Sequence, residues 1–292
     1  MPSPKIGVLG ASSLVGGCLL SSLIERGVSA VAFSRKKQIG SHGGAVEWRQ
    51  LPTLGTQSLD VTHPIGHWIC VAPIWVLPDY FSLIEASGAR RVVVLSSTSR
   101  FTKVGSADKA EVAIAAKLAD AEARVRAWAE ARGIEWVILR PTLIYGLGRD
   151  KNISEMARFI RRFGFFPLLG QAQGQRQPIH AVDVAAACVA ALQAPGTANR
   201  AYNISGGETL AYREMVARVF AALGRPTRLL TVPLWAFRLA VSVLRCLPRY
   251  RQWSAAMAER MNRDLVFDHT EAVRDLGFKP RGFVLMAEDL PG

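Results

Sequence analysis

The chain has 292 residues, 50% hydrophobic and 8% aromatic, with 36 Lys+Arg against 23 Asp+Glu, a formal charge of +13 and an isoelectric point near 10.2. This length and apolar content suit one large domain with a smaller lobe and exclude a disordered chain. No apolar run reaches the ~20 residues of a membrane-spanning helix, and Cys18, Cys70, Cys188 and Cys246 have neither CxxC nor metal-ligand spacing, so no metal site and a reduced, cytoplasmic setting are expected.

The first apolar stretch, KIGVLG (5–10), reads as a strand that follows the start too closely for a secretory leader. VSAVAFS (28–34), HWICVAP (67–73), RVVVLSS (91–97) and EWVILRP (135–141) read as further strands, several apolar on both faces as covered parallel strands are. Between them LVGGCLLSSLIERG, LPDYFSLIEASGAR and DKAEVAIAAKLADAEARVRAWAEARG read as helices, with Gly27, Gly88 and Gly133 as stop signals. The alternation predicts an α/β fold: a doubly wound parallel sheet of Rossmann type. YGLGRDKN and FGFFPLLGQAQGQRQP are placed on loops at the carboxyl edge, while VDVAAACVAALQAP and AYNIS return to the sheet as helix and strand. The expected division is a nucleotide-binding domain over 1–206 and a small C-terminal lobe over 207–292.

GASSLVG follows the first strand directly. Gly10 permits the tight turn and Gly16 close helix–sheet packing, while Ser13 stands where a bare backbone would approach a pyrophosphate. Its Cβ predicts weakened or displaced phosphate binding, with the hydroxyl as an added donor; an ordinary βα turn is the plainer alternative. After the second strand the chain reads Ser34, Arg35, Lys36, without the acid that holds the ribose hydroxyls of NAD. That pattern favours the 2′-phosphate of NADP, with NAD as the lesser possibility; taken alone, a solvated basic turn is an equal alternative.

GASSLVG, VVVLSSTS, LRPTLIYG, PIHAVDVAAA, YNISGGETLAYREM and EAVRDLGFKP together resemble, in order, the extended and atypical short-chain dehydrogenase/reductase superfamily related to NAD-dependent epimerases and dehydratases. The resemblance implies cofactor contacts from Gly10, Ser12, Ser13, Leu14, Val15, Gly16, Ser34, Arg35, Lys36, Asp60, Val71, Ala72, Pro73, Ser96, Lys117, Pro141 and Thr142. It also implies a hydroxyl at Thr98, with Ser97 beside it, and a tyrosine four residues before a lysine whose charge lowers the tyrosine pKa. Lys117 is the candidate lysine, but Ala113 stands four residues before it; anchoring on Glu122 gives Ile114 and Leu118, and no tyrosine of the chain has a lysine four residues on. Ser99 and Arg100 replace the acidic pair of the dehydratases. Tyr145 and Arg149 share the spacing, but Gly146 and Gly148 between them disfavour a helix.

Two functions follow from the resemblance. One is an atypical NADP-dependent oxidoreductase or epimerase-like enzyme on an anionic sugar or lipid-linked precursor, with Thr98 and Lys117, or Lys103, as its polar groups. The other is a catalytically silent NADP(H)-binding sensor or assembly subunit. For either lysine the plainer reading is a surface side chain, and His180 reads as a packed histidine whose one evident carboxylate is Asp183 on the same segment.

From Arg225 to Arg263 stand eight arginines and one acid, Glu259. Within this segment Arg238, Ser242, Arg245 and Arg249 recur at helical spacing among apolar residues. The first reading is a lobe helix buried on one side with arginines toward solvent or an anionic substrate. The second is peripheral contact of residues 234–253 with the inner face of a membrane. No nucleic-acid motif is present, and the oligomeric state is not legible.

Overall fold

The structure is a computed structural model describing residues 5–36, 44–51, 64–233, 235 and 260–292. Seven parallel strands form the central sheet in the order β11-β6-β5-β4-β1-β2-β3. They are β1 (Ile6–Leu9), β2 (Ala30–Ser34), β3 (Val46–Gln50), β4 (His67–Cys70), β5 (Arg91–Leu95), β6 (Glu135–Pro141) and β11 (Arg200–Ile204). The chain leaves β1 toward β2 and β3, then returns to lay β4 on the other side of β1. That reversal opens a crevice at the carboxyl ends of β1 and β4, where open parallel sheets hold ligands.

Side-chain alternation along these strands builds two cores. Val8, Ala32, Ile69, Val93, Val137 and Leu139 face α1 (Leu14–Glu25) and α6 (Ala181–Gln193). Val31, Phe33, Trp68, Val92, Val94 and Ile138 face the other way, toward α2 (Phe81–Ala86), the 3₁₀ turn before it (Ile74–Tyr80) and α4 (Lys109–Ala131). Gly7 is bare for a packing reason: a Cβ there would lie 2.6 Å from the fully buried Trp68 ring, which stacks on Phe33 and donates its indole N–H to the Ile65 carbonyl. Gly27, Gly88 and Gly133 all have positive φ just past helix ends, as their stop-signal role requires.

A third cluster lies beyond the carboxyl edge. It unites α5 (Ile153–Phe163), β8 (Phe166–Leu169) and α7 (Tyr212–Ala222) with Tyr145, Met261, Phe283 and Leu290. FGFFPLLG, expected as loop, thus contributes β8, which pairs in parallel with β13 (Leu229–Val232). Short pairs β7 (Ile144–Tyr145) with β10 (Ile179–His180), and β9 (Gln175–Arg176) with β12 (Leu210–Ala211), complete this part. Helix α8 (Thr270–Leu276) crosses back: Ala272, Leu276 and Phe278 join the core that α1 and α6 share. The short α3 (Ser99–Thr102) follows β5. No helix of the described residues is long and apolar enough to cross a membrane, and no cluster of three or more metal-ligating side chains occurs among them. Cys246 and residues 236–253 lie outside the described residues.

The last stretch of chain straps this lobe to the sheet. Asp183 pairs with Arg281, and Glu208 accepts from Arg218 and from the Phe283 N–H. His180 caps α6 by accepting the Val182 N–H on Nδ1, which leaves its Nε2–H to donate to Asp289 at 2.9 Å. The carboxylate partner of His180 is therefore Asp289, and Asp183 is occupied by Arg281. Burial acts to raise the Asp289 carboxyl, but the His180 hydrogen bond and the N–H groups of Met286 and Leu147 outweigh it and hold the carboxyl below its ordinary value.

A depressed carboxyl contributes stability above its unfolded pKa, near 3.9, and loses it as pH falls through the folded value. Asp289→Asn is expected to lower stability by about 2 kcal/mol at neutral pH. In urea titrations the gap to wild type stays constant down to about pH 4.5 and closes at lower pH.

Candidate functional site

The strand β1 ends at Gly10, whose φ of +84° turns the chain sharply. A Cβ there would lie 2.4 Å from the Ala72 amide nitrogen, so this bare residue lets the turn rest against Val71 and Ala72 at the end of β4. Gly16 meets a similar limit, since its Cβ would lie 2.4 Å from the Gly10 carbonyl oxygen and 2.5 Å from that of Ala11. The predicted residues Gly10, Gly16, Val71 and Ala72 therefore come together, with Pro73 exposed beside them.

Ser13 has φ −74° and ψ 170°, an extended conformation open to any L-residue. Its hydroxyl oxygen accepts the Gly16 N–H at 3.0 Å, making Ser13 the N-cap of α1. The side chain thus occupies a helix-capping position and leaves the amides of Leu14 and Val15, the first two of the helix, without intrahelical acceptors. With the positive end of the helix dipole behind them, these amides form an anion-binding terminus.

A residue the sequence pattern did not mark for this role stands above the loop. Arg149 donates to the Ser12 carbonyl at 3.3 Å, and its guanidinium is exposed. Gly146, Leu147 and Gly148 carry it there with φ of 127°, 52° and 60°, a turn that rules out a helix. The usable signal was the charge of Arg149 within a glycine-punctuated loop at the carboxyl edge.

At the end of β2, Ser34 is buried and accepts the Lys36 N–H at 3.3 Å, while the side chains of Arg35 and Lys36 are exposed. The Arg35 carbonyl accepts from Gln50 of β3. Asp60 lies outside the described residues.

Beyond β5 and β6 the hydroxyls are committed to the protein. Thr98 is buried and donates both its N–H and its hydroxyl to the Pro141 carbonyl, each at 3.1 Å. Ser97 accepts the Ser99 N–H, and Thr142 donates to the Gln177 carbonyl at 2.5 Å. Ser96 donates to Glu122 at 2.6 Å.

Glu122 is the centre of this edge. It is 0% exposed and takes hydrogen bonds from Ser96, Arg100 and Arg140, the last at 2.7 Å and 3.0 Å. Burial pushes its carboxyl up, yet the Arg140 and Ser96 hydrogen bonds and the two guanidinium charges more than compensate and keep it below the ordinary range. Two cations on one carboxylate leave a net positive charge where the sheet meets the lobe.

The burial of Glu122 fixes the rotation of α4. Its inward stripe is Glu111, Ala115, Leu118, Glu122, Val125 and Ala129. Lys117 falls outside that stripe, exposed, with Nζ 4.9 Å from the centroid of the Trp75 ring. Lys103 lies 3.6 Å from Glu111, which also pairs with Arg260. One helical turn and two turns before Glu122 stand Leu118 and Ile114. Tyr145 is buried, edge-on to His180 and Phe283, with its hydroxyl 3.5 Å from the Val284 carbonyl and its pKa raised by burial.

Residues 80–205 match the model of the NAD dependent epimerase/dehydratase family. UDP-glucose 4-epimerase of Vibrio cholerae is 27% identical over 161 residues, 55% of this chain and 47% of that protein. A second relative is the mitochondrial NADH dehydrogenase [ubiquinone] 1 alpha subcomplex subunit 9 of Arabidopsis thaliana, 31% identical over 119 residues, 40% of this chain and 28% of that one. The chain spans less than half the length of either. The crystal structure of UDP-glucuronic acid 4-epimerase from Bacillus cereus in complex with NAD superposes with a TM-score of 0.71 at 13% identity, covering 98% of this chain and 95% of that one.

The N-cap and the buried carboxylate give separable expectations. Ser13→Ala lowers stability by about 1 kcal/mol and Ser13→Gly by a few tenths. Glu122→Ala, which strands two largely buried guanidiniums, costs about 3 kcal/mol in urea denaturation.

Proposed function

We propose, from the premise that the chain belongs to the extended short-chain dehydrogenase/reductase superfamily, that it is an NADP(H)-binding module with no proton relay at the usual place on its helix. The observation that carries this reading is the inward face of α4, where Ala115, Leu118 and a fully paired Glu122 stand toward the sheet while Lys117 lies over Trp75. A bound nicotinamide would supply hydride; the family's accompanying acid or base is a tyrosine held beside a lysine, and α4 contains no tyrosine.

The residues at the crevice fit a dinucleotide. Leu14 and Val15 offer amides to a pyrophosphate, Arg149 adds a guanidinium over the same loop, and the closeness of Gly10 to Ala72 shapes the turn beneath it. Ser34, Arg35 and Lys36 suit a 2′-phosphate, because an exposed Arg–Lys pair stands where an acid would repel one. That the solved relative holds NAD supports a nicotinamide coenzyme, and that the Arabidopsis relative is by name a subunit of a larger complex suits a role in assembly or sensing.

A second reading rests on Arg100 and Arg140. Their shared single carboxylate leaves positive charge for an anionic substrate such as a sugar nucleotide, which an enzyme using water as its proton source would turn over.

Calorimetry with NADPH and NADH tests the first reading. Wild type is expected to prefer NADPH by about tenfold, and Arg35→Ala with Lys36→Ala to erase that preference. Arg149→Ala should weaken both coenzymes by roughly tenfold, the worth of one charge-assisted hydrogen bond. Nicotinamide absorbance should stay constant with simple carbonyl compounds, and UDP-sugars should be recovered unchanged by chromatography; turnover in either assay would move the assignment to the second reading, and no heat with either coenzyme would remove both.

A further inference from the structure

The end of the lobe farthest along α5 presents an apolar strip set among arginines. Helix α5 stops at Gly164, whose φ of 75° reverses the chain. Phe163 and Phe165 on either side of it are 51% and 36% exposed. Neither is loose: Phe159 packs against both rings, at centroid distances of 4.6 Å and 5.9 Å, and against Phe166, which turns inward.

The adjoining strand pair continues the strip. Phe166 pairs with Leu229 and Pro167 with Leu230, so alternation puts Phe165, Pro167, Arg228 and Leu230 on the outer face. Leu230 is 54% exposed, and Trp235, just beyond β13, is 72% exposed.

The charges around this strip have one sign. Arg158 and Arg162, one turn apart on the exposed side of α5, and Arg228 have no carboxylate partner among the described residues; Glu155 is the one acid in 153–169 and none occurs in 223–235. At the same helix end Arg161 and Arg225 line a cavity of about 350 Å³ with Leu290 as part of its apolar wall. Arg161 also donates to the Pro291 carbonyl, and Arg225 to the carbonyls of Ile160 and Arg161, so these two guanidiniums lend the cavity positive charge.

We propose that this end of the lobe docks on the surface of an anionic lipid bilayer. Exposed phenyl, indole and leucine side chains gain from the acyl boundary, and arginines reach headgroup phosphates at the same depth. Arginines and aromatic rings also meet in protein interfaces; a bilayer is favoured because the segments 156–169 and 223–235 carry arginines and no acid, so the matching surface is anionic throughout as well as apolar. The segment 234–253, marked by its sequence for a basic stripe among apolar residues, follows this strand pair directly in the chain. Apart from Trp235 it lies outside the described residues, and the strip over 158–167 and 228–230 stands without it.

Flotation of the full chain with extruded vesicles tests the surface. Wild type is expected to float with phosphatidylglycerol–phosphatidylcholine vesicles, several-fold less with pure phosphatidylcholine, and less at high salt. Arg162→Glu with Arg228→Glu should lower the partition constant roughly fivefold or more per arginine. Phe163→Ser with Leu230→Ser should lower it comparably, with coenzyme heat unchanged in both variants and melting temperature unchanged in the arginine pair. Equal recovery of wild type from anionic and neutral vesicles, or none from either, would overturn the proposal. So would variants that float like wild type, placing the contact elsewhere, or a wild-type dimer in sedimentation that these substitutions dissolve, making the strip a contact between copies.

Discussion

The approach of Gly16 to the Gly10 and Ala11 carbonyls sets the geometry on which the crevice depends. At 2.4 Å from a backbone oxygen there is no room for any Cβ, so α1 can begin this close to the end of β1 only with a bare residue there. The consequence is that the first amides of α1 lie at the mouth of the β1–β4 reversal and not a turn away from it. Within that limit Ser13 is free to carry a side chain, because its φ is ordinary and its oxygen has a partner in the Gly16 N–H. The glycine whose loss would matter structurally is retained; the one replaced sits where the backbone does not require it.

A comparable economy governs the other side of the crevice. Glu122 links α4 to β5 through Ser96, to α3 through Arg100 and to β6 through Arg140, so one carboxylate ties four elements at the carboxyl edge. A fully buried carboxylate requires such partners, since its desolvation penalty is large unless charge and hydrogen bonds offset it. Because the tie fixes the rotation of α4, it also decides which side chains turn toward the sheet. Apolar residues occupy the positions one and two turns earlier, and the lysine one residue off the stripe lies over the Trp75 indole.

Much of the sheet was legible because its strands are buried on both faces and read as unbroken apolar runs ending in glycine or polar turns. β3 escaped notice because VEWRQ buries mainly Val46 and mixes charge into a short edge strand. β8 escaped because Pro167 and flanking glycines carry the signature of a loop, yet a proline is tolerated in a two-stranded pair with little ladder to interrupt. The rotation of α4 was present in the sequence, since Ala115, Leu118, Glu122, Val125 and Ala129 recur at three- and four-residue spacing. The partner of His180 had no local signal, because Asp289 lies 109 residues away and only the fold brings it near.

Leu147 occupies a left-handed backbone conformation that a branched, bulky residue adopts at a cost of about 1–2 kcal/mol. Its N–H finds the Asp289 carboxylate, 142 residues downstream. During synthesis the loop that places Arg149 over Ser12 therefore emerges from the ribosome long before the group that pairs with it. The turn that carries Arg149 over Ser12 has its carboxylate partner only once the closing strap has been translated and docked.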